Sequence, residues 1–168
     1  MGFFLYICQC NQKTKVMEER DLLEKVLCEM LFYGVKIKTE YFTKATLISI
    51  RKNISYGSNK DLLVTYDISG EENPFQTDER ISTLSGVKPY LFPLSSMTKE
   101  QKEELRNLGW NFDNFEINNI NECLGTYREY VTHLDCFVLI DWLNKNRFDY
   151  YRLIEKGLAI DATNLNIY

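Results

Sequence analysis

His133 is the only histidine in the chain, so a serine- or cysteine-type hydrolase built on this sequence would have to use it as its base. No Gly-x-Ser-x-Gly elbow is present to hold a serine nucleophile above a sheet. Cys123 or Cys136 could pair with His133, but the helical setting expected for both gives the thiol no activating charge. Cys123, His133 and Cys136 also have the chemistry of zinc ligands. Their spacing matches no standard knuckle and a fourth ligand is missing, so small apolar core thiols and a bystander histidine are the preferred reading. No metal and no cofactor is expected. The glycines are scattered, and neither GxxxxGK[ST] nor GxGxxG occurs to cradle a phosphate.

Carboxylates give a better lead. Asp61 and Asp67 flank an expected strand, with Glu40 and Lys44 on its neighbour. Metal-dependent nucleases place acids and a lysine on adjacent strands, because a divalent ion needs oxygen ligands and its water needs polarising. Against this, acids at strand ends are usually solvated, and the spacing is not the usual nuclease signature. Tyr90, Phe92 and Pro93 form an aromatic and proline cluster suited to a binding surface. Their alternative role, which we favour, is to plug the gap between the sheet and the C-terminal helices.

The elements that carry these residues follow from periodicity and punctuation. Leu22, Leu23, Val26, Leu27, Met30 and Leu31 repeat at helical spacing over about 18–33, with acids early and Gly34 as a stop. Segments near 35–40, 45–52 and 61–68 read as strands, with a hairpin loop at Ser55–Asn59 and a polar loop running to about Arg80. Val87–Leu94, with prolines at 89 and 93, suits an edge strand or extended stretch. Thr98 and Gln101 have capping-box spacing for a helix over about 99–108, which Gly109 closes.

Farther on, Leu124, Tyr127, Val131, Leu134 and Val138 could line one long helix. Alternatively, Asp135 caps a second helix carrying Phe137, Ile140 and Leu143. A tight Asn144–Arg147 turn then leads to a last short helix after Asp149, ending at Gly157. The expected fold is α+β: an N-terminal helix across an antiparallel sheet of about three to four strands, followed by a helical C-terminal half.

Composition bounds the function. The chain has 168 residues, 45 % hydrophobic and 26 % charged, as expected of one ordinary globular domain. A net charge of −4 disfavours binding nucleic acid by phosphate neutralisation and is too weak for a DNA mimic. Five cysteines without a CxxC pair fit reduced thiols in a cytoplasm better than a disulfide framework. The apolar run Gly2–Cys8 is too short to span a bilayer and has no basic residue before it. Bulky Ile7 sits where a lipoprotein box needs a small residue. Residues 1–16 read as an extension, because Met17 could itself open the first helix of a single α+β domain over 17–168.

Lys88–Thr98, Asp141–Asn144, Phe148–Tyr150 and Leu153–Ala159 resemble the signatures of a family of hypothetical proteins from prophages and phages of gut Bacteroidales. Met17–Val35 is similar to the start of that family. The sequence departs from it at Phe92, where a basic residue is expected, and at Tyr151–Arg152, where the order is exchanged. The resemblance implies a phage habitat and no particular activity. The expectation is a non-enzymatic accessory protein binding a host or phage protein, with no membrane partner and no nucleic acid. The rivals are a small metal-dependent nuclease using Glu40, Asp61 and Asp67, and a nucleic-acid-binding module. The oligomeric state is left open by the sequence.

Overall fold

A computed structural model describes residues 19–52, 62–68, 79–110 and 133–168. The expectations on residues 1–16, the Ser55–Asn59 loop, Asp61, Cys123, Leu124, Tyr127 and Val131, and on the side chains of His133, Leu134 and Cys136, lie outside that description. Helix α1 (Glu19–Met30) carries Glu19 and Asp21 in its first turn, where they complement the helix dipole. It buries Leu22, Leu23, Val26, Leu27 and Met30. A 3-10 turn, Leu31–Tyr33, continues it to Gly34, whose φ of 61° is the left-handed stop foreseen from the sequence.

Strands β1 (Lys36–Lys38), β2 (Ala45–Lys52) and β3 (Leu62–Asp67) form the expected antiparallel meander, with a bulge between Leu47 and Ser49. The sheet is larger than expected. Strand β4 (Glu79–Thr83) pairs antiparallel with β3 and begins inside the end of the polar loop expected to run to about Arg80, because pairing supplies what the weak strand propensity of Glu79 and Arg80 does not. Strand β5 (Lys88–Leu91) lies inside the sheet, not at its edge. It pairs antiparallel with β1 and parallel with the two-residue β6 (Ile160–Asp161), giving the order β4-β3-β2-β1-β5-β6. Pro89 fits there because β6 pairs only with Tyr90 and Leu91. The fold is therefore α+β with a mixed six-stranded sheet among the described residues.

Helix α2 (Lys99–Asn107) opens with a complete capping box: Gln101 N donates to Thr98 Oγ1 at 3.2 Å, and Thr98 N to Gln101 Oε1 at 2.9 Å. It closes on Gly109 at φ 89°, with Trp110 N reaching back to Leu105 O at 2.9 Å.

Helix α3 (His133–Lys145) corrects the reading in which Asp135 caps a helix, while the single long helix through Leu124, Tyr127 and Val131 lies outside the described residues. Asp135 lies within the helix instead of capping it. The buried face is Leu139, Trp142 and Leu143, whereas Phe137 and Val138 are each 41 % exposed. Beyond Asp149 the expected last helix is absent. Residues 150–157 form successive turns, because Arg152 takes a left-handed φ of 59° that no α-helix accommodates.

One hydrophobic cluster joins these parts. Val35, Ile37, Ala45, Leu47, Val64 and Tyr66 supply the sheet side; α1, α3 and the turn block supply the cover.

Candidate functional site

Of the proposed metal-binding acids, Asp67 ends β3 opposite Thr46 and Glu79. Glu40 and Lys44 fall in the turn between β1 and β2, not on a strand as expected. Among the described residues, no three or more His, Cys, Asp or Glu side chains are grouped to hold a metal ion.

The aromatic cluster is brought together, but largely as packing. Phe92 N donates to Arg147 O at 2.9 Å and Asp149 N donates to Phe92 O at 2.8 Å, so the end of β5 is stitched to the segment leaving α3. Phe92 packs edge-on to Phe148, which stacks on buried Trp142 with ring centres 5.7 Å apart. Pro93 is half-buried beside them.

Arg147 is the pivot of this block. Arg147 N donates to Asn144 O and Phe148 N to Leu143 O, both at 3.0 Å, which closes α3 with the same left-handed motif that Gly109 provides for α2. Here the left-handed residue is an arginine at φ 60°. Its guanidinium offsets the strain: Nη2 donates to Tyr33 O at 2.8 Å, and Cζ lies 4.2 Å over the Tyr168 ring. Burial pushes the Tyr168 phenol up to about 12. That hydroxyl donates to Tyr90 O at 2.8 Å and accepts from Lys36 N at 3.1 Å, tying the chain end to β1 and β5. Tyr33 donates to Asp141 on α3, and that hydrogen bond raises its own phenol to about 12.

Asp149 takes Leu153 N on Oδ1 at 2.8 Å and Ile154 N on Oδ2 at 2.7 Å, so its carboxylate caps the turns that follow as it would cap a helix. Burial raises this carboxyl even against those two bonds. Next to it, Tyr150 bridges α1 and α3. Its hydroxyl lies 2.9 Å from Glu29 Oε2 and 2.8 Å from Asn144 Oδ1. Burial raises Glu29 above its ordinary value near 4.5, while Lys25 and the two tyrosine hydroxyls pull the other way. This block has the geometry of a clasp between helices.

The sheet end near Glu40 is built differently. Thr39 N donates to Phe42 O at 2.9 Å, and Phe42 N to Thr39 Oγ1 at 3.1 Å, closing the β1–β2 turn. Phe42 packs edge-on against Tyr66, and buried Tyr90 donates its hydroxyl to Thr43 O. Tyr90 thus serves the turn from beneath and offers no surface of its own. At the tip of this pinned turn Tyr41 stands 76 % exposed. Sequence reading missed Tyr41. Its only signal was an aromatic between Glu40 and Phe42 in a short connection, and that does not reveal which of two adjacent rings turns inward.

No family model, curated protein or solved structure matches this chain. Among the described residues, no helix is long and apolar enough to cross a membrane.

Proposed function

We propose that the chain is a non-enzymatic accessory protein of a phage or mobile element, acting in the cytoplasm by binding another protein. The observation that carries this reading is Tyr41: a tyrosine 76 % exposed on a turn held by the Thr39–Phe42 bonds and by Phe42 and Tyr90 below. Tyrosine brings large contact area at low entropic cost, and a turn fixed before binding lowers that cost further. Phe32, 90 % exposed after α1, is a second aromatic left in water. The phage habitat rests on the resemblance of the Lys88–Thr98 and Asp141–Ala159 segments.

Affinity capture from a phage-bearing gut bacterium, with mass spectrometry of what co-purifies, tests the reading. The expected outcome is a protein retained by the natural chain and lost by Tyr41→Ala. A chain that retains nothing, or a Tyr41→Ala variant that retains the same protein equally well, overturns it.

A further inference from the structure

Lys38 closes β1 and Lys88 opens β5, and the register sets these two residues directly opposite each other. Alternation places both on the face away from the core, since their neighbours Ile37 and Pro89 are buried while both lysines are exposed. Directly opposed like charges destabilise a strand pair. Here nothing relieves them: among the described residues, neither lysine has an ion-pair partner, and Glu40, exposed two residues beyond Lys38, pairs with neither. This uncompensated positive pair stands on a chain whose net charge is −4. It lies at the same end of the sheet as the pinned turn that displays Tyr41, because β1 runs from Lys38 straight into Thr39–Phe42.

Building on the protein-binding reading above, we propose that Lys38, Lys88 and Tyr41 form a docking site for an acidic segment of a partner protein. The two ammonium groups would meet carboxylates and the phenol ring would cover the apolar part of the segment. Charge complementarity selects this occupant. Two opposed cations suffice for a short acidic peptide, whereas nucleic acid is held by many phosphate contacts and would be repelled by the acidic remainder of the chain. The cost of the opposed lysines in the free protein is repaid only when a partner brings negative charge between them.

The test is an NMR titration of the isotope-labelled full chain with hexaglutamate, and in parallel with a thymidine hexanucleotide, at low and at physiological salt. Saturable amide shifts centred on Lys38, Glu40, Tyr41 and Lys88 are expected with hexaglutamate. They should weaken with salt and fall at least tenfold in affinity in Lys38→Ala/Lys88→Ala. Lys88→Glu should abolish the shifts while raising the melting temperature, because it turns a repulsive pair into an attractive one. Shifts centred elsewhere, equal affinity in the double alanine variant, or a Lys88→Glu chain that melts lower each overturn the site. Tighter binding of the hexanucleotide replaces the acidic peptide with nucleic acid. Shifts at these residues on concentrating the chain alone replace it with a second copy. A captured protein that is lost with Tyr41→Ala but kept by Lys38→Ala/Lys88→Ala overturns the acidic partner alone and leaves protein binding intact.

Discussion

In the C-terminal block, a buried carboxylate, Asp149, accepts two backbone N–H groups, and Arg147 spends its guanidinium on a carbonyl and a ring. At the far end of the sheet, Lys38 and Lys88 oppose each other with no ion-pair partner among the described residues, and Tyr41 stands in water on a turn closed by the Thr39–Phe42 bonds. Both regions are ordered, and they differ in where the polar and aromatic groups are directed. The block turns its tryptophan, phenylalanine and tyrosines inward and uses them to fasten α1, α3 and β5 to one another. The sheet end uses Phe42 and Tyr90 for fastening and leaves its remaining aromatic and its charges facing outward. Signature-like sequence such as Asp141–Ala159 is therefore accounted for by packing, whereas the less conspicuous Lys38–Tyr41 stretch holds groups that folding alone does not use.

The largest expected effect is at Trp142. It is 5 % exposed and stacked on Phe148, so Trp142→Ala should cost about 3–5 kcal/mol in urea unfolding. An unaltered midpoint would move the interaction surface to the block and reverse the comparison. Asp149→Ala strips one buried and one part-buried N–H group of their acceptor and should cost about 1–3 kcal/mol by the same measurement.

Arg147 sharpens the comparison further. Arg147→Ala and Arg147→Gly both lose the bond to Tyr33, but only alanine keeps the left-handed strain. The glycine variant should therefore be the more stable of the two by about 1 kcal/mol, and equal stabilities would show that the φ of 60° is not maintained in solution.

Glu29 adds a pH dependence to the block. Its folded pKa is raised, so the folded state holds the proton more tightly than the unfolded chain does. The contribution is fully present below the ordinary value near 4.5 and is lost as pH rises through the folded pKa. Asp149, also raised, acts in the same direction. Denaturant midpoints across this range should fall less steeply with rising pH in Glu29→Gln than in the natural chain. Identical slopes would detach Glu29 from the clasp. The smallest effect belongs to the sheet end: Tyr41→Ala should change stability by less than about 0.5 kcal/mol, because its ring touches mainly water. A larger loss would make that turn part of the core.

Signals that act within one or two turns of chain were legible beforehand. The apolar spacing of α1 with its Gly34 stop, the Thr98–Gln101 box and Gly109 of α2, and the β-branched runs of β2 and β3 needed no partner elsewhere to be recognised. What only the tertiary structure decided involves residues far apart in the chain. Pairing with β3 makes a strand of Glu79–Thr83, and β1 with β6 draws Lys88–Leu91 into the interior of the sheet. Tyr33 and Tyr168 hold Arg147 in a conformation its own side chain disfavours. The left-handed Arg152 stops a helix that Leu153 and Ile154 would otherwise continue. The register that opposes Lys38 to Lys88 is likewise non-local, because strand pairing is a contact between segments, and one strand's sequence carries its own alternation but not the identity of the residue it will face.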